Sequence, residues 1–167
     1  MFSNIIKLYV SDFGGIYLDT DVLVVKSFEP LRKYNLTLAR ESSNKLANGI
    51  ILARPSSLFI RIWLESYATF KTEEYVEHSV IMAQRLYSIF PHHVHVEEDN
   101  LVTPKAGDRH ILFKEGLFNW NNSYAVHVYY KHGPVPMNLQ EMKVSNKSVN
   151  EVMRFVYHYS SVNPNSS

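Results

Sequence analysis

Apolar positions change rhythm several times along the chain, and each change marks an element. Ile5, Ile6, Leu8, Tyr9 and Val10 stand before the Gly14–Gly15 pair, so Asn4 to Phe13 is predicted as a helix ending in a glycine cap or tight turn. Two short β runs follow, Ile16–Leu18 and Val22–Val25. "FEPLRKY" makes a turn around Pro30, and "LTLARE" (Leu36 to Glu41) and "NGIILAR" (Asn48 to Arg54) read as strands, the second apolar on both faces. Beyond Pro55, Ser56 or Ser57 can cap a helix from Leu58 to about Phe70, with Phe59, Ile62, Trp63 and Tyr67 at helical spacing. A second helix is expected over Val80–Ile89, a strand over His93–Glu98 in "HVHVEE", and loops from Asn100 to Asn122. "YAVHVYY" (Tyr124 to Tyr130) reads as a strand and Val149 to Tyr159 as the last helix. Strands and helices alternate without an internal repeat, which predicts a mixed α/β domain over residues 1–160 and a disordered Ser/Asn/Pro tail over 161–167.

One interruption in this pattern carries chemistry. In "GGIYLDTDVLVV" the apolar run is broken by Asp19 and Asp21, one residue apart. On an extended backbone residues i and i+2 share a face, so the two carboxylates stand side by side and repel unless a cation or solvent compensates. A divalent metal between them is one reading; a solvated strand end or turn is the other.

Composition narrows the field. The chain has 167 residues, enough for one domain with a real core, and 17 basic against 16 acidic residues give a formal charge of +1. That balance offers no electrostatic case for nucleic acid. Cysteine is absent, which excludes disulfides and thiolate metal sites. No window reaches the roughly 18 apolar residues of a membrane span. "MFSNIIKLYVSDF" lacks the basic leader and small-residue cleavage site of a signal peptide. Sequons at Asn35, Asn121, Asn146 and Asn165 point weakly to a secretory lumen. His92, His93 and His95 form a run, but two histidines on one strand face without a third ligand are a weak zinc signal, and a partly exposed strand is the simpler reading.

Two families place D-x-D after a short apolar strand. "DTDVL" matches the motif of haloacid-dehalogenase-type phosphatases, in which the first Asp is a nucleophile on a loop after a central parallel strand. That pattern needs a longer buried strand and a late acidic pair, and "AGDRH" around Asp108 supplies one carboxylate only. The longer string, a helix followed by "FGGIYLDTDVLVVKSF", closely resembles the glycosyltransferases whose sugar-binding region contains a DXD motif, among them α-1,4-galactosyltransferases, yeast initiating mannosyltransferases and clostridial glucosylating toxins. The resemblance continues through "NGIILARPSSLFIRIWL" and into "SYAVHVYY", covering Asn4 to about Tyr130.

The resemblance implies part of a GT-A-type, Rossmann-like fold and a retaining, metal-dependent transfer of a hexose from a UDP- or GDP-sugar to a glycan or glycolipid. It implies that Asp21 holds Mn²⁺ or Mg²⁺ directly, that Asp19 contacts the donor ribose and reaches the metal through water, and that His127 is a late metal ligand. Gly14, Gly15 and Tyr17 would shape the floor of the donor site, and Asn48 would bind a sugar hydroxyl. Trp120 would either stack on the donor or cover the core. No catalytic residue is assigned. Family context implies a Golgi-lumen setting and a type II membrane parent, although the chain itself contains no anchor.

The chain departs from the family upstream of the glycine pair. The family's Ser-Asp-x-x-Arg falls on Ser3 and Ile6, and Asn4 and Lys7 fit only with a one-residue slip and without the charges. The expectation is therefore that an upstream nucleotide-binding half is missing, leaving a fragment, or a non-catalytic relative that keeps a carbohydrate- or partner-binding surface.

Overall fold

A computed structural model describes residues 9–69 and 76–162. Its strands are β1 (Gly15–Leu18), β2 (Val22–Val24), β3 (Leu36–Ser42), β4 (Lys45–Ala53), β5 (His95–Glu97) and β6 (Ala125–His127). Its helices are α1 (Leu58–Glu65), α2 (Met82–Ile89), α3 (Leu139–Val144) and α4 (Ser148–Val162). Four strands form one sheet in the order β1-β4-β3-β5; β1 and β3 run antiparallel to β4, and β5 runs parallel to β3. β2 and β6 form a separate antiparallel pair. The class is α/β with a mixed four-stranded sheet and flanking helices.

Residues 9–13 are helical and end as the glycine pair predicts. Gly14 has φ +69° and donates its N–H to the Val10 carbonyl at 3.0 Å, the left-handed termination that glycine adopts without strain. A Cβ there would also lie 2.7 Å from Pro55 Cδ. Residues 4–8 of the expected helix lie outside the described residues.

Strand alternation sorts the core into layers. Leu36 and Leu38 face one side of the sheet, where Phe59, Ile60 and Trp63 of α1 and Leu86 of α2 cover them. Ala39 faces the other side, with Ile50, Leu52, Leu101, Val102 and Ala125. A third cluster joins Val126 and Val128 to Val149 and Val152 of α4. Leu46 and Ile51 face the same layer although they are five positions apart, an odd offset that strict alternation would put on opposite faces. The register explains it: Thr37 pairs with Leu52 but Ala39 with Ala47, so a bulge in β4 rephases the strand. Asn48 and Gly49 lie inside that bulge. Ile50, Ile51 and Leu52 are all at most 4% exposed, as a strand apolar on both faces requires.

Several boundaries move. α1 stops at Glu65 because the Ser66 hydroxyl takes the Trp63 carbonyl at 2.6 Å, and a 3₁₀ turn, Ser66–Thr69, follows. The expected end at Phe70 lies outside the described residues. The second helix begins with a π-helical turn, Glu77–Ile81, before α2. The strand expected over Tyr124–Tyr130 ends at His127, since Tyr129 is left-handed at φ +51° and ψ +51°. α3 was not expected, although its signal is in the sequence: the Asn138 side chain accepts from Glu141 N–H at 2.9 Å, and the Glu141 carboxylate accepts from Met137 N–H at 2.9 Å. α4 runs to Val162, into the expected tail, and residues 163–167 lie outside the described residues.

Candidate metal centre

The site is built on backbone hydrogen bonds that fix each of its side chains. Asp19 N–H donates to the Gly49 carbonyl at 2.8 Å, carrying the β1–β4 ladder one residue past Leu18. Val22 N–H then donates to the Asp19 carbonyl at 3.1 Å, closing a tight turn through Thr20 and Asp21. The two carboxylates therefore converge through a turn and not through strand alternation, a correction to the expected geometry. β2 leaves the turn and pairs with β6, setting Val22 opposite His127. Val128 N–H reaches the Asp21 carbonyl at 2.8 Å, and His127 N–H reaches the Thr103 carbonyl at 2.9 Å. The chain segment holding the aspartates and the one holding the histidine are thus tied by main-chain bonds.

The side chains meet in the resulting corner. His127 Nε2 lies 3.0 Å from Asp21 Oδ1 and 4.0 Å from Asp19 Oδ2. One ligand atom from each of Asp19, Asp21 and His127 lies within 4.8 Å of the others. The Tyr17 hydroxyl donates to Asp19 Oδ1 and fixes that carboxylate. His127 is the most enclosed of the three, at 13% side-chain exposure, while Asp19 at 35% faces solvent.

Gly49 keeps the corner open. A Cβ on Gly49 would stand 2.9 Å from Asp19 Oδ2, 3.1 Å from His127 Cε1 and 3.2 Å from His127 Nδ1. Two carboxylates and an imidazole are oxygen and nitrogen donors suited to a divalent cation, and three protein ligands leave coordination positions for a second partner. Asp19, Asp21 and His127 are thus close enough together to hold a metal ion.

A stacked column supports the histidine. The Tyr129 ring lies 3.8 Å from the His127 ring at 22°, and the Arg109 guanidinium lies 4.0 Å from the Tyr129 ring centroid. Arg109 in turn pairs with Glu41 at 2.5 Å. Burial pushes the Tyr129 phenol up to about 12, against the opposing influence of Arg109, so it stays a neutral hydroxyl through the physiological range. A left-handed, non-glycine residue is strained by roughly 1–3 kcal/mol, and such strain concentrates at functional sites. Gly49, Tyr129, Arg109 and Glu41 were not singled out from sequence. Only Tyr129 carried a signal, standing two residues after His127 on the same face.

Other candidates lie elsewhere. Gly14 and Gly15 sit at the opposite end of β1 from Asp19, since Gly15 pairs with Ala53 and Leu18 with Ile50. The expected floor of glycines is therefore not at the triad. Asn48 is half-buried and immediately precedes Gly49. Trp120 belongs to the third core cluster, its ring centroid 4.9 Å from that of Phe155. The histidine run does not gather: His95 stacks on Tyr34 at 3.7 Å and His93 packs on Phe90, and the triad is the one possible metal cluster among the described residues. Asn35, Asn121 and Asn146 are exposed. No helix among the described residues is long and apolar enough to cross a membrane.

No protein-family model matches the chain. It is 37% identical over 105 residues to "Glucan organizing enzyme 1" of Cryptococcus neoformans var. grubii serotype A. The match covers 56% of this chain and 29% of that protein, so the chain spans less than a third of its relative's length.

Proposed function

We propose that this chain is the metal- and donor-binding portion of a glycosyltransferase of GT-A type, which moves a hexose from a UDP- or GDP-sugar to a glycan or glycolipid. The observation that carries the proposal is the convergence of Asp19, Asp21 and His127 within 4.8 Å, at the turn after β1 that carries the D-x-D string. The fungal relative's name refers to glucan and to an enzyme, which is compatible with a carbohydrate setting.

In this reading Asp21 and His127 hold Mn²⁺ or Mg²⁺, and Asp19, oriented by Tyr17, serves the ribose and the metal's water shell. When bound, the cation neutralises the negative charge that grows on the nucleoside diphosphate as it leaves. The Tyr129 ring fixes the plane of the His127 imidazole. Gly49 leaves the approach clear of side-chain atoms. No nucleophile is assigned, and retention of configuration by front-face transfer fits that, with the leaving diphosphate taking the acceptor's proton. The setting proposed is the Golgi lumen, within a longer membrane-anchored protein.

Release of UDP or GDP from nucleotide sugars, with Mn²⁺ and with EDTA, tests the proposal. Metal-dependent release supports it. A folded chain that binds donor without release supports a non-catalytic carbohydrate-binding relative. Hydrolysis of a simple phosphate ester alone supports the phosphatase reading, which β1 disfavours: it is an antiparallel edge strand, not a central parallel one.

A further inference from the structure

At the far end of β1 from the triad lies a cleft of about 510 Å³ whose walls carry Arg32, Lys33 and Arg54. Along four residues of strand at ~3.3 Å each, this end is roughly 13 Å from Asp19. The cleft has, among the described residues, a single lining carboxylate, Glu29, and Arg32 occupies it at 2.6 Å. Among the described residues, neither Lys33 nor Arg54 has a carboxylate partner. In a chain whose basic and acidic residues number 17 and 16, two uncompensated cations beside a third form a local excess that the whole sequence does not show.

All three cations are exposed at the rim of the cleft, and each makes one side-chain contact to its wall. Arg54 N–H donates to the Asn35 carbonyl at 2.8 Å, and its Nη2 donates to the Lys33 carbonyl at 3.2 Å. Lys33 Nζ stands 5.0 Å over the Tyr34 ring, whose other partner, His95, is stacked at 3.7 Å and tied to Glu97 at 3.4 Å. A second cleft of about 350 Å³, bearing His92 and His93, shares Lys33 and Tyr34 with the first. Two guanidinium groups and one ammonium around a concave surface match the oxygens of a tetrahedral anion, the guanidinium as a fork and the ammonium as a point charge.

We propose that this cleft is a second binding site, separate from the metal centre, for the phosphate group of a sugar phosphate. Its volume admits one phosphorylated sugar ring, and its cations supply the recognition. The phosphate can belong to a free sugar phosphate or to a phosphorylated position on an oligosaccharide. The cations argue for the phosphate, and that its bearer is a sugar rests on the carbohydrate reading proposed above.

Isothermal titration of the whole chain with glucose 6-phosphate, a phosphorylated oligosaccharide and its neutral counterpart tests the site. Both phosphorylated probes bind if a free sugar phosphate suffices; only the oligosaccharide binds if the phosphate must be presented on a glycan; the neutral probe binds neither way. Substituting Lys33→Gln and Arg54→Gln together lowers the affinity at least tenfold, and the conservative pair Lys33→Arg and Arg54→Lys restores most of it. Asp21→Ala leaves this binding unchanged, which separates it from donor binding. Equal affinity of the neutral and phosphorylated probes, or unaltered binding in the folded Lys33→Gln, Arg54→Gln variant, overturns the proposal.

Discussion

His127 Nε2 lies 3.0 Å from Asp21 Oδ1, although 106 positions separate the two residues in sequence. Two main-chain devices bring them together, the β2–β6 ladder and the bond from Val128 N–H to the Asp21 carbonyl. Preorganisation of this kind means that the ligands need little rearrangement to take up a cation. Removing either side chain is therefore expected to act on metal affinity directly. Asp21→Ala and His127→Ala each weaken Mn²⁺ binding by about 100-fold, at the upper end of what even outer partners of metal ligands cost. Titration monitored by the paramagnetic resonance of free Mn²⁺ gives the affinities.

Tyr17 presents a subtler case. Its hydroxyl donates to the Asp19 carboxylate. Tyr17→Phe removes that bond and keeps the ring, so a roughly tenfold loss of metal affinity is expected without loss of folded structure. Metal titration alongside the thermal melting curve separates the two effects.

Gly49→Ala tests the open corner. The added methyl would crowd the Asp19 carboxylate at 2.9 Å and the His127 ring at 3.1 Å. The φ of Gly49 is not in the left-handed range, so the substitution acts through contact and not through backbone strain. Mn²⁺ affinity is expected to fall at least about tenfold, with a smaller change in unfolding free energy. An unchanged affinity would mean that Asp19 and His127 can shift aside.

How much of this was legible in the sequence depends on the range of the interactions involved. Gly14 announced its turn, and the apolar run Ile50–Leu52 announced a strand buried on both faces, because both signals are local. Asp19 and Asp21 were visible as a pair, yet their convergence came from a turn that alternation did not suggest. His127 was named through the family resemblance of "YAVHVYY", since nothing local distinguishes a ligand histidine from a structural one. Gly49 was invisible: its role depends on a bulge in β4 and on side chains far away in sequence. Arg109 lay in a loop-rich stretch where no period indicates direction. Among the described residues the sequence reading missed the α-helix α3, which has a readable capping box but too few turns to show a period, and the 3₁₀ helix Ala106–Phe113 in the stretch expected as loops.

Stability should centre on Trp63. It is fully buried, and its indole N–H donates to the His78 carbonyl at 2.9 Å, joining α1 to the turn that leads into α2. Trp63→Ala is expected to cost ~3–5 kcal/mol in urea unfolding. Trp63→Phe retains most of the volume and should cost less than half of that.

The Arg40–Glu98 pair sets an acid dependence. Arg40 donates from Nε at 3.0 Å and from Nη2 at 3.2 Å to the Glu98 carboxylate, and these hydrogen bonds hold its pKa below the ordinary 4.5. A lowered folded-state pKa gives stabilisation that is present above the unfolded value and lost as the pH falls through the folded one. Glu98→Gln should therefore be less stable than the wild type at neutral pH, and the difference should close below about pH 4.5. Denaturant midpoints measured between neutral and acid pH check the sign.

The central claim is that Asp19, Asp21 and His127 form a metal centre that holds a nucleotide sugar. Its most direct test is isothermal titration of UDP-galactose, UDP-glucose and GDP-mannose into the purified chain, with and without Mn²⁺, beside Asp21→Ala. Binding that requires Mn²⁺ and disappears in the variant is the predicted result, and the preferred donor names the base. Donor binding that is indifferent to both Mn²⁺ and Asp21, or a folded chain that takes up neither metal nor donor, would contradict the account.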